Sequence, residues 1–290
     1  MDRTTPDALP LRGRVALVTG VSRRTGIGFA IARRLAAAGA SIFAHHHVPH
    51  DVNTPLGPDP GGVDAVLDEV RAALANPAAT VVDAGMDLAE AGAPQRLFGR
   101  AVSAFGHVDI LVCNHASSGA DAGLGGLDAA MLDAHWAINT RSSLLLAKEF
   151  AQAHDGRSGG RIVLMTSGQN LGPMPGEIAY AASKGALAAV TLTLADELAD
   201  RGITVNCVNP GPVDTGWATP ELLAAVADRV PAGRWGEPDD PARLIAWLVS
   251  DDGRWITGQV LNTEGGFRRW DSLRGGGGDP GAEHGDPPTT

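Results

Sequence analysis

A chain of 290 residues, 44% of them hydrophobic and only two of them cysteine, has material for a sizeable core and no disulfide framework. Its formal charge of −10 argues against nucleic acid, which needs a basic footprint. No apolar run approaches the roughly 18 residues of a membrane span. The start, "MDRTTPDALPLRGR", carries no signal-peptide core, so a cytoplasmic protein is expected.

Residues 1–13 read as a flexible arm. "RVALVTG" (14–20) is short, apolar and β-branched, a buried strand ending in glycine. "GIGFAIARRLAAAGA" (26–40) is helical, with Ile27, Ile31 and Leu35 four apart and Gly39 as its stop. "SIFAHHH" (41–47) is a second strand, and residues 48–62 form a long Pro/Gly-rich loop. A helix (63–75), a strand within 79–88, a helix (92–106) and a strand (107–116) follow. A long helix is expected over about 128–154, then a strand (159–167), a helix ending near Arg201, a strand (203–211), a helix (240–251) and a last strand (258–266). The alternation predicts an α/β fold: one doubly wound Rossmann-type domain, 14–270, with a parallel sheet of about seven strands. The tail 271–290, rich in Gly, Pro and acids, reads as disordered. Cys113 and Cys207 fall in strands and read as buried thiols.

Two features carry chemistry. "TGVSRRTGIG" (19–28) joins a strand to a helix, where backbone N–H groups and the helix dipole bind a pyrophosphate. Its spacing is Gly20-x5-Gly26-x-Gly28. The second is Tyr180, the only tyrosine, four residues before Lys184, one of two lysines. Positions i and i+4 share a helix face. A nearby ammonium lowers a phenol's pKa from its reference value near 10.

Together these resemble the short-chain dehydrogenase/reductase family, over about residues 13–268. "DILVCNHA" (109–116) resembles that family's Asp-x-Leu-Val-Asn-Asn-Ala-Gly segment, with Cys113 and His115 in place of an Asn and an Ala. "RIVLMTSG" (161–168) resembles the strand ending in its serine, and Ser167 stands 13 residues before Tyr180. "NPGPVDTG" (209–216) resembles its Pro-Gly cofactor segment, and residues 233–267 resemble its C-terminal pattern. The glycine loop departs from the family by two extra residues.

The resemblance implies an NAD(P)-dependent oxidoreductase acting on a carbonyl or secondary alcohol. Tyr180 would be the general acid, Ser167 would hold the substrate oxygen and Lys184 the nicotinamide ribose. Asn139, in "WAINT", would place a water linking Lys184 to solvent. Cofactor contacts would come from Gly20, Ser22, Arg23, Gly26, Ile27 and Gly28, from Asp87 and Leu88 at adenine, and from Asn114. Pro210, Gly211, Val213 and Thr215 would complete them. A ketone or 3-oxoacyl thioester is the expected substrate. The alternatives are an enoyl-thioester reductase, whose Tyr and Lys usually stand further apart, and a non-catalytic nicotinamide-binding regulator.

The second strand ends in "AHHH" (44–47), without the acid an NAD site offers the ribose, although Asp51 lies further on. Arg23 and Arg24 can meet a 2′-phosphate, so NADP is expected, with NAD possible. His45, His46, His47 and His50 have no acid or Cys spacing for metal and are expected near the phosphate. The segment between Gly216 and Gly233 should cover the substrate, with Trp217, Met174 and Leu171 lining it. The resemblance also implies a homotetramer built on the helices at 128–154 and 180–201.

Overall fold

The computed structural model describes residues 8–54, 56–216 and 218–269. β1 (Val15–Thr19) leads through the glycine loop into α1 (Ile27–Ala37). Then come β2 (Ser41–His46), α2 (Val48–Val52), α3 (Gly62–Ala72), β3 (Val81–Gly85) and α4 (Ala93–Phe105). β4 (Ile110–Cys113) precedes α5 (Ala129–His135), a π-helical turn (Trp136–Arg141) and α6 (Ser142–Ala153). β5 (Gly160–Met165), α7 (Ile178–Ala199), β6 (Ile203–Asn209), α8 (Pro220–Ala227), α9 (Asp239–Val249) and β7 (Val260–Asn262) complete the order.

The seven strands form one sheet in the order β3-β2-β1-β4-β5-β6-β7, and every neighbouring pair is parallel. Successive strand side chains point to opposite faces. Ala16 and Val18 therefore pack with Ile31, Leu35, Val70 and Ile245 of α1, α3 and α9. Val15 and Leu17 pack with Leu97, Phe98, Phe150 and Leu187 of α4, α6 and α7. Both cysteines are free and buried on this second side. The sheet is covered on both faces, as expected for a doubly wound α/β domain.

Three stretches differ in outline from the sequence reading, and one helix differs in apolarity. Leu11 is 1% exposed, and its N–H donates to Ala38 O at 2.9 Å, so the arm is packed from there onward. The long helix expected over 128–154 is broken by the π-helical turn. The loop 48–62 contains α2. α7, 22 residues long, is apolar enough to cross a membrane by length and composition. No strictly apolar run revealed this, because its polar residues are small hydroxyls and a few charges. It lies against β5 and β6. Tail residues 271–290 and Trp217 lie outside the described residues.

The strand order reverses between β1 and β4, and in open parallel sheets ligands bind at the carboxyl ends of the strands beside such a point. The loops after β1, β4, β5 and β6 all leave from that end.

Candidate active site

The glycine loop is shaped by close approach. Gly20 has φ +78°, a region that side chains disfavour. A Cβ on Gly28 would stand 2.2 Å from Gly20 O, so α1 can lie this close to the loop only with glycine there. Asn114 Nδ2 donates to Thr19 O (3.0 Å) and Gly20 O (3.3 Å), joining the ends of β1 and β4. The N-cap of α1 is Gly26, which makes no side-chain cap bond, and the first turn holds no acid. That leaves the N–H groups of this turn for an anion. Ser22 and Ile27 are half-buried in the same loop. The cradle fits a dinucleotide pyrophosphate.

Beneath the loop lie two histidines. His45 Nε2–H donates to Met86 O at 2.8 Å, which leaves Nδ1 to accept Gly20 N–H at 3.3 Å. His115 Nε2 faces Ile138 O (3.1 Å) and Ser142 Oγ (2.7 Å), while Nδ1 meets Thr19 Oγ1 at 2.7 Å. Burial pushes His45 down to about 4 and His115 to about 3, so both are neutral at pH 7. Sequence placed His45 near the phosphate; it is 2% exposed and works from below, as a buried prop for Gly20. His46 lies 3.3 Å from Asp83, and His47 4.0 Å from Asp87. Among the described residues no three His, Cys, Asp or Glu converge as a metal site.

The two extra loop residues are tied down. Arg24 donates from its backbone N–H (2.9 Å), Nε (3.1 Å) and Nη2 (2.7 Å) to Asp59, and from Nη1 to Glu69 at 3.0 Å. These bonds, first those from the Arg24 side chain, hold Asp59 down at about 2. Arg24 is thus committed to carboxylates and is not the phosphate ligand expected. Arg23 is held more loosely, with Nε 3.6 Å from Asp51 Oδ1 and Nη1 3.4 Å from Thr215 O.

Asp87 Oδ1 accepts Ala89 N–H at 2.8 Å. The Leu88 side chain is buried in the core, so only its backbone can face a nucleotide. On the other flank Gly211 has φ +70°, and a Cβ there would stand 2.7 Å from Glu264 Cα. Asn209 holds this corner, accepting Gly211 N–H at 3.0 Å and donating to Glu264 Oε1 at 2.8 Å. Pro210 is half-buried, and Val213 is buried and bridged to Gly236.

The candidate catalytic group sits where β5 ends and α7 begins. The Ser167 side chain lies beside the Tyr180 phenol, near enough to act on its ionisation. Lys184 Nζ lies 5.8 Å from the Tyr180 ring centroid and donates to Met165 O at 2.9 Å. The three residues that sequence spacing selected are therefore together. Their charge states differ from the expectation. Burial raises the phenol to about 12, the nearby Ser167 hydroxyl opposes this, and the charge of Glu177 adds to it. Lys184, 2% exposed, is pushed down to about 8 by burial. Desolvation outweighs the tuning of one by the other.

Asn139 is fully buried in the π-helical turn. Its Oδ1 accepts Ser117 N–H (2.8 Å), and its Nδ2 donates to Ser117 O (3.0 Å) and Ser183 Oγ (2.9 Å). The side chain is a clamp between the β4–α5 loop and α7. Sequence reasoning missed Ser117, Ser183, Asp121 and His135, whose contacts with this site span 22 to 59 residues or pass through a ring. The His135 ring stands edge-on to Tyr180 at 6.3 Å. Leu171 and Met174 lie in the loop after Ser167, with Leu171 37% exposed. An open hollow of about 640 Å³, lined by Arg12, Asp109 and Arg157, lies at the amino ends of β1 and β4, away from this chemistry.

A glycine cradle at the switch point, with Ser, Tyr and Lys side chains converging beside it, defines a nicotinamide-dependent oxidoreductase of the Rossmann type. A family model described as Enoyl-(Acyl carrier protein) reductase matches residues 20–268. An uncharacterized oxidoreductase, YjdA of Bacillus subtilis, is 42% identical, the match covering 88% of this chain and 97% of YjdA. An NADPH-dependent aldehyde reductase-like chloroplastic protein of Arabidopsis thaliana is 37% identical, covering 89% and 96%. The solved short-chain dehydrogenase/reductase of Serratia marcescens superposes with a TM-score of 0.77 at 36% identity, covering 89% and 99%. The chain belongs to the short-chain dehydrogenase/reductase family.

Proposed function

We propose that this protein is an NADP(H)-dependent carbonyl reductase in which Tyr180 is the general acid. The observation that carries this is the convergence of Ser167 and Lys184 on Tyr180, with the buried Lys184 Nζ 5.8 Å from the centre of its ring. A phenol raised to about 12 stays protonated at neutral pH and is available to donate. The nicotinamide, when bound, supplies hydride to the carbonyl carbon. Ser167 and Tyr180 are preset donors for the oxygen on which charge then develops. Lys184 would bond the nicotinamide ribose, and Asn139 keeps α7 and its neighbouring loop in register.

The NADP assignment rests on Arg23, whose partners are a 3.6 Å ion pair and a 3.4 Å bond, and on the missing acid at the end of β2. The Arabidopsis relative named for NADPH-dependent aldehyde reduction points the same way. The family description keeps an enoyl thioester as the rival substrate, and the three-residue gap between Tyr180 and Lys184 favours a ketone, a 3-oxoacyl thioester or an aldehyde. We further infer a cytoplasmic homotetramer.

Tyr180→Phe tests the reading. With NADPH and a panel of ketones, aldehydes and 3-oxoacyl thioesters, it should lower kcat by roughly a hundredfold to ten-thousandfold while NADPH binding persists. Unchanged turnover in the variant would remove Tyr180 as the acid. Turnover of enoyl thioesters alone would give the rival its case. NADPH binding without turnover of any substrate would favour a regulator.

A further inference from the structure

The first turn of a helix leaves backbone N–H groups without intrahelical partners. In α7 the N-cap residue, Glu177, makes no side-chain cap bond. The cap comes from the β4–α5 loop instead. Asp121 Oδ2 accepts the N–H of Tyr180 itself at 2.7 Å, and Oδ1 accepts that of Ala179 at 3.0 Å. Oδ1 also accepts Ala122 N–H at 2.7 Å. Asp121 is preceded by Ala120 at φ 52°, the one positive-φ residue other than glycine among the described residues. A left-handed alanine is strained and persists only where its surroundings hold it.

The same loop reaches Tyr180 from its other side. Ser183 Oγ donates to Tyr180 O at 2.8 Å, and it accepts Asn139 Nδ2, which is itself bonded to Ser117. The N–H and C=O of the reactive residue are therefore both fixed through residues 117–121. The titratable groups around Asp121, besides Tyr180 itself, are Glu177 at the N-cap of α7 and His135 on α5. Burial works to raise Asp121, but its three N–H bonds and His135 outweigh it and hold the carboxyl ionised. Glu177 is raised by burial and by the charge of Asp121.

We propose that Asp121 is a positioning residue for Tyr180: its carboxylate, delivered from the β4–α5 loop, caps α7 at the tyrosine's own N–H and seats the phenol against Ser167 and Lys184. The proposal rests on Tyr180 being the general acid, but its test does not require a substrate.

Because Tyr180 is the only tyrosine, biosynthetic 3-fluorotyrosine gives one ¹⁹F resonance, reporting on this ring alone. The resonance and its titration midpoint are to be measured in the wild type, Asp121→Asn and Asp121→Ala. NADPH Kd and thermal unfolding are measured on the same samples. Removing the carboxylate takes away a nearby negative charge and loosens the buried ring, and both effects favour the phenolate. The expected result is a resonance displaced toward that of a solvated fluorotyrosine. Its midpoint should be lower by about one pH unit in Asp121→Ala and by less in Asp121→Asn, with NADPH Kd within about twofold of wild type, since the glycine loop is untouched. Where a carbonyl substrate is in hand, kcat should fall about tenfold or more with little change in KM. An unmoved resonance and midpoint in folded variants would overturn the proposal. So would a joint loss of NADPH binding and of cooperative unfolding in Asp121→Asn, which would make the carboxylate a general support of the fold.

Discussion

Lys184 is the most costly residue in the site before cofactor arrives. Its ammonium is buried, with a single carbonyl partner, Met165 O. Burial brings it from 10.5 down to about 8, so the unfolded chain binds the proton more tightly than the folded one. Stability therefore falls as pH drops from about 10.5 to 8 and is level below that, where both states are protonated. Lys184→Met should stabilise the cofactor-free protein at pH 7 by on the order of 2 kcal/mol while abolishing reduction. The gain should vanish near pH 10.5. Urea unfolding at pH 7 and pH 10.5 checks this, and an equal difference at the two values would mean that the lysine's charge carries no such cost. The pairing of Tyr180, Lys184 and Ser167 was legible because it depends on spacing within one helix and one strand–helix junction. Their charge states were not, because desolvation depends on what the rest of the chain places around them. Asp121 was illegible for a related reason: its bond to Tyr180 spans 59 residues.

At the scale of elements, the lengthened glycine loop is the feature that sequence left most open. Nothing in "SRRT" says which arginine is free. The fold decides it by bringing the 48–62 loop over the glycine loop, so that Asp59 takes Arg24 and Asp51 approaches Arg23. The two arginines then have separable roles. Arg24–Asp59 fixes the loop that any dinucleotide meets, whereas in the proposed NADP site Arg23 would be the residue that meets the 2′-phosphate. Arg23→Ala should weaken NADPH about tenfold with little effect on NADH, the size of one charge-assisted contact. Asp59→Ala should weaken both by similar factors. Tryptophan-quenching titrations with each nucleotide distinguish the pair, and equal losses in Arg23→Ala would remove it from 2′-phosphate recognition. The break of the expected long helix at Trp136–Arg141 was equally hidden. "WAINTR" holds no Gly or Pro to announce it, and the π-helical turn is explained by the bonds that Asn139 makes to Ser117 and Ser183.

Over the whole molecule, the alternation of strands and helices was enough to predict the parallel sheet, because βαβ units leave few other ways to cover apolar strands. It said less about what a single chain leaves uncovered. The most apolar 18-residue stretch of α7 is only 39% buried. Leu192, midway along it, is 67% exposed and lies beside Gly258, near the open edge of the sheet at β7. Trp255 is 92% exposed and Val260 37%. An edge strand next to uncovered large apolar side chains favours association, and closed symmetry confines that association to defined oligomers. The proposed homotetramer uses this face. Because Leu192 contributes little to the protomer's own core, Leu192→Glu should leave the fold and the thermal transition of the protomer nearly intact. Each copy of the interface would instead carry a buried carboxylate without a partner, a cost of several kcal/mol. Light scattering should then give a tetramer for the wild type and a smaller species for the variant. A monomeric wild type, or a variant still tetrameric, would move assembly away from this face and leave the exposure of α7 unexplained.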